Sequence, residues 1–265
     1  PLVIKIHAVQ RLAMLHTLSG RLPLYLVMEY PRSGGSWFGE MLSDYLEVPF
    51  PRNKRPPLET CIMHGHHLYH PNFENAVCVV RDGRDAIVSE YFKRLFVNPP
   101  HARKRDRDNL QFDDYDDVVG NLPRFIEYVF TEASRGFFHF NWAEYIRSWS
   151  QSGSPFIHYE RLLVDAPGEL AKAIRHLTGE TPDMERLEEI AEHYKFENVA
   201  KRKRGEENKS STVRKGIAGD WKNKFSRVAC EVFDYYAGDE LIELGYEDDR
   251  SWIRTNWAME NAEQS

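Results

Sequence analysis

An α/β fold, with helices on both faces of a central parallel sheet, is what this sequence predicts, on three observations. Short apolar runs of strand length alternate with segments whose apolar residues recur at helical spacing. Two of those runs, within "LYLVMEYPRSGGSW" and "AVCVVRDGRDAIVSEY", pass through a glycine turn straight into a helix. At 265 residues the chain can also bury a full core. Ligands of such sheets sit at the carboxyl ends of the strands.

Taken in order, Leu24 to Met28 reads as a buried strand and Ser36 to Leu46 as the helix after it. Ala76 to Val80 is a second strand. Ile87, Tyr91 and Leu95, with Val88 and Phe92, then fall at helical spacing. Pro155 to Glu160 is a third strand candidate, followed by helices over Leu170 to Leu177 and Met184 to Tyr194. Residues 98–117 mix both charge signs after a double proline, and residues 201–221 are basic and glycine-rich; both read as long loops. A single domain is expected over residues 1–265, with 1–22 an N-terminal extension and 247–265 a tail.

The net charge of -6 gives no support for a nucleic-acid partner, so any anion site must be local. The three cysteines, Cys61, Cys78 and Cys230, lack the spacing of a zinc site or disulfide framework and are expected to be buried. No apolar run approaches the ~20 residues that span a bilayer, and no signal peptide is visible, so a cytoplasmic location is expected. The cationic, amphipathic character of residues 1–18 adds the expectation of a peripheral membrane contact.

The turn "YPRSGGSW" offers backbone N–H groups and a positive helix end, which suit a phosphate, and Arg32 adds a fixed charge. It lacks the Gly-Lys-Ser/Thr closure of the nucleotide-triphosphate loop, and with it the usual hydroxyl ligand of Mg²⁺. By itself it could equally be an ordinary helix start. A second anion motif places Arg81 at a strand end and Ser89 eight residues on. A third, "RKGIAGDWKNKFS", sets Arg214 and Lys215 on a glycine-interrupted backbone.

These three motifs, in this order, resemble those of the sulfotransferases that use 3'-phosphoadenosine 5'-phosphosulfate (PAPS). The resemblance implies a P-loop-like α/β sandwich in which Arg32, Ser33, Gly34, Gly35 and Ser36 hold the 5'-phosphosulfate. It implies 3'-phosphate contacts from Arg81 and Ser89, and further phosphate contacts from Arg214, Lys215 and Gly216. Trp37 matches the adenine-stacking tryptophan, with Tyr159 and Phe196 on the adenine side. The sequence departs from the family by Arg32 for lysine, which keeps the charge but cannot donate a proton. It also has Ser226 and Arg227 for the Thr-Val of the dimerisation segment, which leaves the oligomeric state open.

Sulfuryl transfer to an alcohol needs a base for the hydroxyl proton and positive charge where the leaving phosphate forms. "CIMHGHHLYHP" supplies four histidines; aligned on the family's Lys-Thr-His segment, it places His66 at the base and His64 at the lysine. His67 is the neighbour most easily mistaken for the base. Metal binding by this cluster is disfavoured because no Asp, Glu or Cys follows at ligand spacing, and no metal cofactor is expected. The acceptor is an alcohol on a small molecule, lipid or glycan, walled by residues 98–150. There Phe137, Phe138, Phe140, Trp142, Tyr145 and Trp149 read equally well as core. A small-molecule kinase and a non-catalytic nucleotide-binding module are the rival readings; PAP, the desulfated cofactor, tells the kinase apart by its affinity.

Overall fold

Each predicted apolar run becomes a strand of one sheet. In the computed structural model, β1 (Leu24–Glu29), β2 (Cys61–Gly65), β3 (Ala76–Val80) and β4 (Phe156–His158) are all parallel, in the order β2-β1-β3-β4. The structure describes residues 2–18, 24–52, 54, 59–133, 140–195, 198 and 216–255. β2 was not foreseen, being short and interrupted by His64, and β4 is shorter than expected because Tyr159 already starts a helix.

The chain divides into two compact units, Pro1–Arg81 with Ser148–Lys201, and Asp82–Arg147 with Arg202–Ser265. The first holds the whole sheet, with α1 (Leu2–Leu18), α2 (Gly35–Leu46), α7 (Tyr159–Leu162), α8 (Ala166–Thr178) and α9 (Met184–His193). Val27, Ile62, Val77, Val79 and Ile157 pack against Phe38, Met41 and Leu42 of α2, Leu170 and Ile174 of α8, and Leu187 of α9. Each such fully buried aliphatic or aromatic side chain contributes about 1.5–3 kcal/mol. Because side chains alternate along a strand, Glu29 shares the face of Val27, and His64 that of Ile62, so both lie on the α2 side of the sheet. Strand residues of the other parity, Leu26, Met28, Met63 and Cys78, are just as buried, as a sheet covered on both faces requires. α1 buries Met14 and Leu15 and leaves Val9 and Leu12 exposed; no described helix is long and apolar enough to cross a membrane.

The second unit is helical: α3 (Gly83–Phe92) running into a π-helical turn (Lys93–Val97), α4 (Pro100–Leu110), α5 (Val118–Thr131) and α6 (Trp142–Ser150), whose last residues belong to the first unit. A 3-10 turn (Asp220–Asn223), α10 (Arg227–Glu243) and α11 (Trp252–Thr255) follow. α4 corrects the expected loop over 98–117. Pro100 sits in its first turn, where a missing N–H costs nothing. Its one deeply buried charge, Asp106, is held by Arg94 at 3.5 Å, Arg105 at 3.4 Å and the Tyr128 hydroxyl at 2.9 Å. That network, rather than an apolar stripe, fastens the helix. Phe140, Trp142, Tyr145 and Trp149 are all buried, as the core reading expects; Phe137 and Phe138 lie outside the described residues. All three cysteines are buried as expected.

Candidate active site

β1 ends at Glu29, and the chain turns into α2 through backbone that few sequences permit. Arg32 has φ +76°, a left-handed conformation uncommon outside glycine, and Gly34 has φ +93° as the N-cap. A Cβ on Gly34 would lie 2.6 Å from the Tyr159 ring, and one on Gly35 2.8 Å from the Glu29 carboxyl carbon. Both glycines are therefore required by close approach. α2 begins at Gly35 rather than Ser36, because the Gly35 N–H donates to Glu29 Oε2 at 2.6 Å. One N–H that the sequence offered to an anion is thus held by the protein's own carboxylate. Helix geometry leaves the N–H groups of Ser36 and Trp37 without intrahelical acceptors. Ser33 Oγ is buried with no partner among the described residues. Leaving such a group unpaired costs about 1–3 kcal/mol, so the turn fits an incoming anion that accepts from it.

The histidine pair meets the same carboxylate. His64, on β2, has Nε2 2.8 Å from Glu29 Oε1, and His66 has Nδ1 3.0 Å from the Glu29 main-chain oxygen. Their rings are 5.1 Å apart and edge-on, and Phe50 lies edge-on to His64 at 6.1 Å. Burial pushes the Glu29 carboxyl up, but the hydrogen bond and charge of His64, with the charge of His66 and the Gly35 N–H, outweigh it and bring the pKa to about 2. The donor atoms of Glu29, His64 and His66 lie within 4.8 Å of one another, close enough for one metal ion. The proton bridging His64 and Glu29 already accounts for much of that closeness. The carboxylate that sequence spacing failed to find comes from β1, 35 residues earlier. The available signal was a charged residue closing an otherwise apolar strand.

His67 faces the other way. A Cβ on Gly65 would fall 2.7 Å from its ring and 3.2 Å from Met28 Sδ, on the side of the sheet away from Glu29 and His64. Burial first, then the charges of His66, His16, Arg11 and His64, lower its pKa to about 4. It is a poorer base than an ordinary imidazole.

Arg81, Tyr159 and Trp37 come together on the turn. Arg81 Nη1 donates to the Arg32 main-chain oxygen at 3.4 Å, and its guanidinium lies 4.6 Å from the Tyr159 ring centre. Trp37 meets Tyr159 edge-on at 6.2 Å and donates from Nε1 to the Tyr194 oxygen at 2.9 Å. The first unit thus gathers Arg32, Ser33, Gly34, Gly35, Ser36, Trp37, Arg81, Tyr159, His64 and His66.

In the second unit, Ser89 is buried in α3 and Gly216 has φ +65°. Asp85, which sequence reasoning passed over, accepts from the Gly219 N–H at 2.7 Å and the Trp221 N–H at 2.9 Å, pinning the end of the "RKGIAGDW" segment to α3. Phe196, Arg214 and Lys215 lie outside the described residues.

The model of the sulfotransferase domain family matches residues 67–245. Sulfotransferase 1E1 of Cavia porcellus is 28% identical over 181 residues, covering 62% of this chain and 54% of that protein; the human 1E1 match covers 46% of its length. The chain thus spans about half the length of these relatives. Human sulfotransferase 2A1 is 21% identical over 261 residues, covering 83% of this chain and 84% of that protein. Among solved structures, mouse sulfotransferase SULT7A1 complexed with PAP superposes with a TM-score of 0.61 at 17% identity, covering 94% of each chain. Retinol dehydratase in complex with androsterone and inactive cofactor PAP gives 0.56 at 17% identity, covering 89% of this chain and 85% of that one. These likenesses establish the fold. With its anion turn, its histidine pair and a family match over more than half its length, the chain belongs to the sulfotransferase domain family.

Proposed function

We propose that the protein transfers the sulfuryl group of PAPS to the hydroxyl of a small-molecule alcohol, with His66 as general base. The observation that carries this is the convergence on Glu29 of an anion turn and a histidine pair. PAPS, when bound, supplies the sulfuryl group and a phosphate leaving group of low basicity.

The chain's own residues supply the rest. Ser33, Ser36 and Trp37 offer donors at the α2 start for the 5'-phosphosulfate, and Arg32 places charge where negative charge develops. Arginine stays protonated, so it acts by charge and not as an acid. Arg81 is assigned to the 3'-phosphate, and Trp37 and Tyr159 to the adenine. His66 takes the acceptor proton, and His64 positions the site from beside it. The relative solved with androsterone binds a steroid alcohol, which supports a small-molecule acceptor for this chain as well. The exposed Val9 and Leu12 of α1 support the peripheral membrane contact that residues 1–18 suggest.

The test is turnover of PAPS with a panel of alcohols in EDTA, followed as PAP release. Acceptor-dependent release supports the reading. Binding of PAP without turnover on any acceptor favours a non-catalytic module, and an activity that needs ATP and Mg²⁺ favours a kinase.

A further inference from the structure

We propose that Glu29 is the positioning residue of the histidine pair: it sets His64 and His66 in opposite tautomers, so that Nε2 of His66 is the nitrogen that takes the acceptor's proton. This rests on the sulfuryl-transfer reading above and adds which nitrogen acts and which residue selects it.

The argument is a count of donors and acceptors. An ionised carboxylate and an amide carbonyl can only accept a hydrogen bond, and a neutral imidazole carries one N–H and one lone pair. Glu29 Oε1 lies 2.8 Å from His64 Nε2, so that nitrogen holds the proton. The Glu29 main-chain oxygen lies 3.0 Å from His66 Nδ1, so there the proton is on Nδ1 and the lone pair on Nε2. Side chain and main chain of one residue thus fix two rings in opposite senses. His64 is thereby barred from using Nε2 as a base.

Glu29 is itself held firmly enough to do this. Its second oxygen accepts the Gly35 N–H at 2.6 Å, and the residue is only 5% exposed, so the carboxylate has little freedom to turn. Phe50 closes the other side: it lies edge-on to His64, and a Cβ on Gly39 would fall 2.6 Å from its ring. The carboxylate that orients the histidines is also the one that fastens the start of α2. The anion turn and the base therefore share one anchor, and a shift in one is felt by the other.

The experiment is long-range ¹H–¹⁵N correlation of histidine-labelled protein at about pH 8, above the ordinary histidine range. Signals of His64 and His66 are assigned with His64→Gln and His66→Gln. The wild type should show the proton on Nε2 of His64 and on Nδ1 of His66. The opposite pattern, or two averaged tautomers, overturns the inference. Glu29→Gln keeps the size and an acceptor for Gly35 but offers His64 an amide that donates as readily as it accepts. Its His64 tautomers should average while His66 keeps its main-chain bond. Its kcat should fall roughly 10-fold or more, with PAP affinity within about threefold, because a His64 ring that turns no longer holds the edge-on packing that seats the His66 ring. Unchanged kcat and unchanged His64 signals in Glu29→Gln also overturn it. If the wild type fails to bind PAP, the functional reading fails while the tautomer result still stands. Normal PAP binding with the wrong tautomers sinks this inference alone.

Discussion

The start of α2 in the first unit and the start of α3 in the second are both closed by a carboxylate, yet one is left ready for a ligand and the other is satisfied from within. At α2 the carboxylate comes from Glu29, and around it stand a left-handed Arg32, two glycines and a buried Ser33 hydroxyl with no partner among the described residues. At α3 the cap is Asp82, whose Oδ1 accepts the Arg84 N–H at 2.9 Å. The Arg84 side chain then pairs with Asp82 and Glu247 and lies 3.7 Å from the Trp221 ring centre and 4.7 Å from that of Trp252. An arginine beside a helix start reads as an anion site in sequence. Whether it is free to serve one depends on partners that arrive from far along the chain.

The largest effect should come from the first unit. His66→Ala should lower kcat by roughly 10²–10⁴ while PAP affinity stays within a few-fold, because general-base catalysis contributes about that much. Steady-state kinetics and calorimetry on the same preparation check it; retained turnover in His66→Ala with loss in His67→Ala would move the base to His67. In the second unit the damage should be to folding. Arg84→Met leaves Asp82 and Glu247 without their cation and should cost about 3–5 kcal/mol in urea unfolding.

Acid should also separate the regions, since among the described residues the strongly depressed groups, Glu29, His67 and His158, all belong to the first unit. His158 is lowered to about 4 by burial, then by Arg161 and Lys172, as His67 is by its own surroundings. The unfolded chain binds these protons more readily, so their contribution is present above pH 6.5 and is lost as pH falls through about 4. Glu29 follows, between about 4.5 and about 2. Each is worth on the order of 3 kcal/mol. Urea midpoints at neutral and mildly acid pH should therefore diverge less in His158→Gln than in the wild type; equal divergence would remove His158 from the account.

Smaller effects sharpen the ligand side. Arg81→Ala should weaken PAP at least tenfold, as a charged hydrogen bond of about 1.5–3 kcal/mol requires, and unchanged calorimetric affinity would remove Arg81 from the 3'-phosphate. EDTA should change turnover by nothing measurable, and a loss restored by Mg²⁺ would revive the kinase reading.

The sheet was legible because its strands are apolar runs buried on both faces, and the anion turn because glycine and arginine cluster at a strand end. α4 was not, since its buried charge is balanced by Arg94 and Tyr128, which no local periodicity reveals. The same limit hid Glu29: its partner His64 is brought beside it by the parallel register of β1 on β2, and Gly35 only by the fold of the turn between them. Asp85 was hidden too, because the N–H groups it binds belong to a segment more than 130 residues away.

A crystal structure with PAP tests the central claim most directly. The 5'-phosphate should accept from the Ser33 hydroxyl and the Ser36 and Trp37 N–H groups at the start of α2, on the side of Glu29 that carries His66. A phosphate seated instead at Asp82 and Arg84, or one that leaves the Ser33 hydroxyl without a ligand partner, would contradict it.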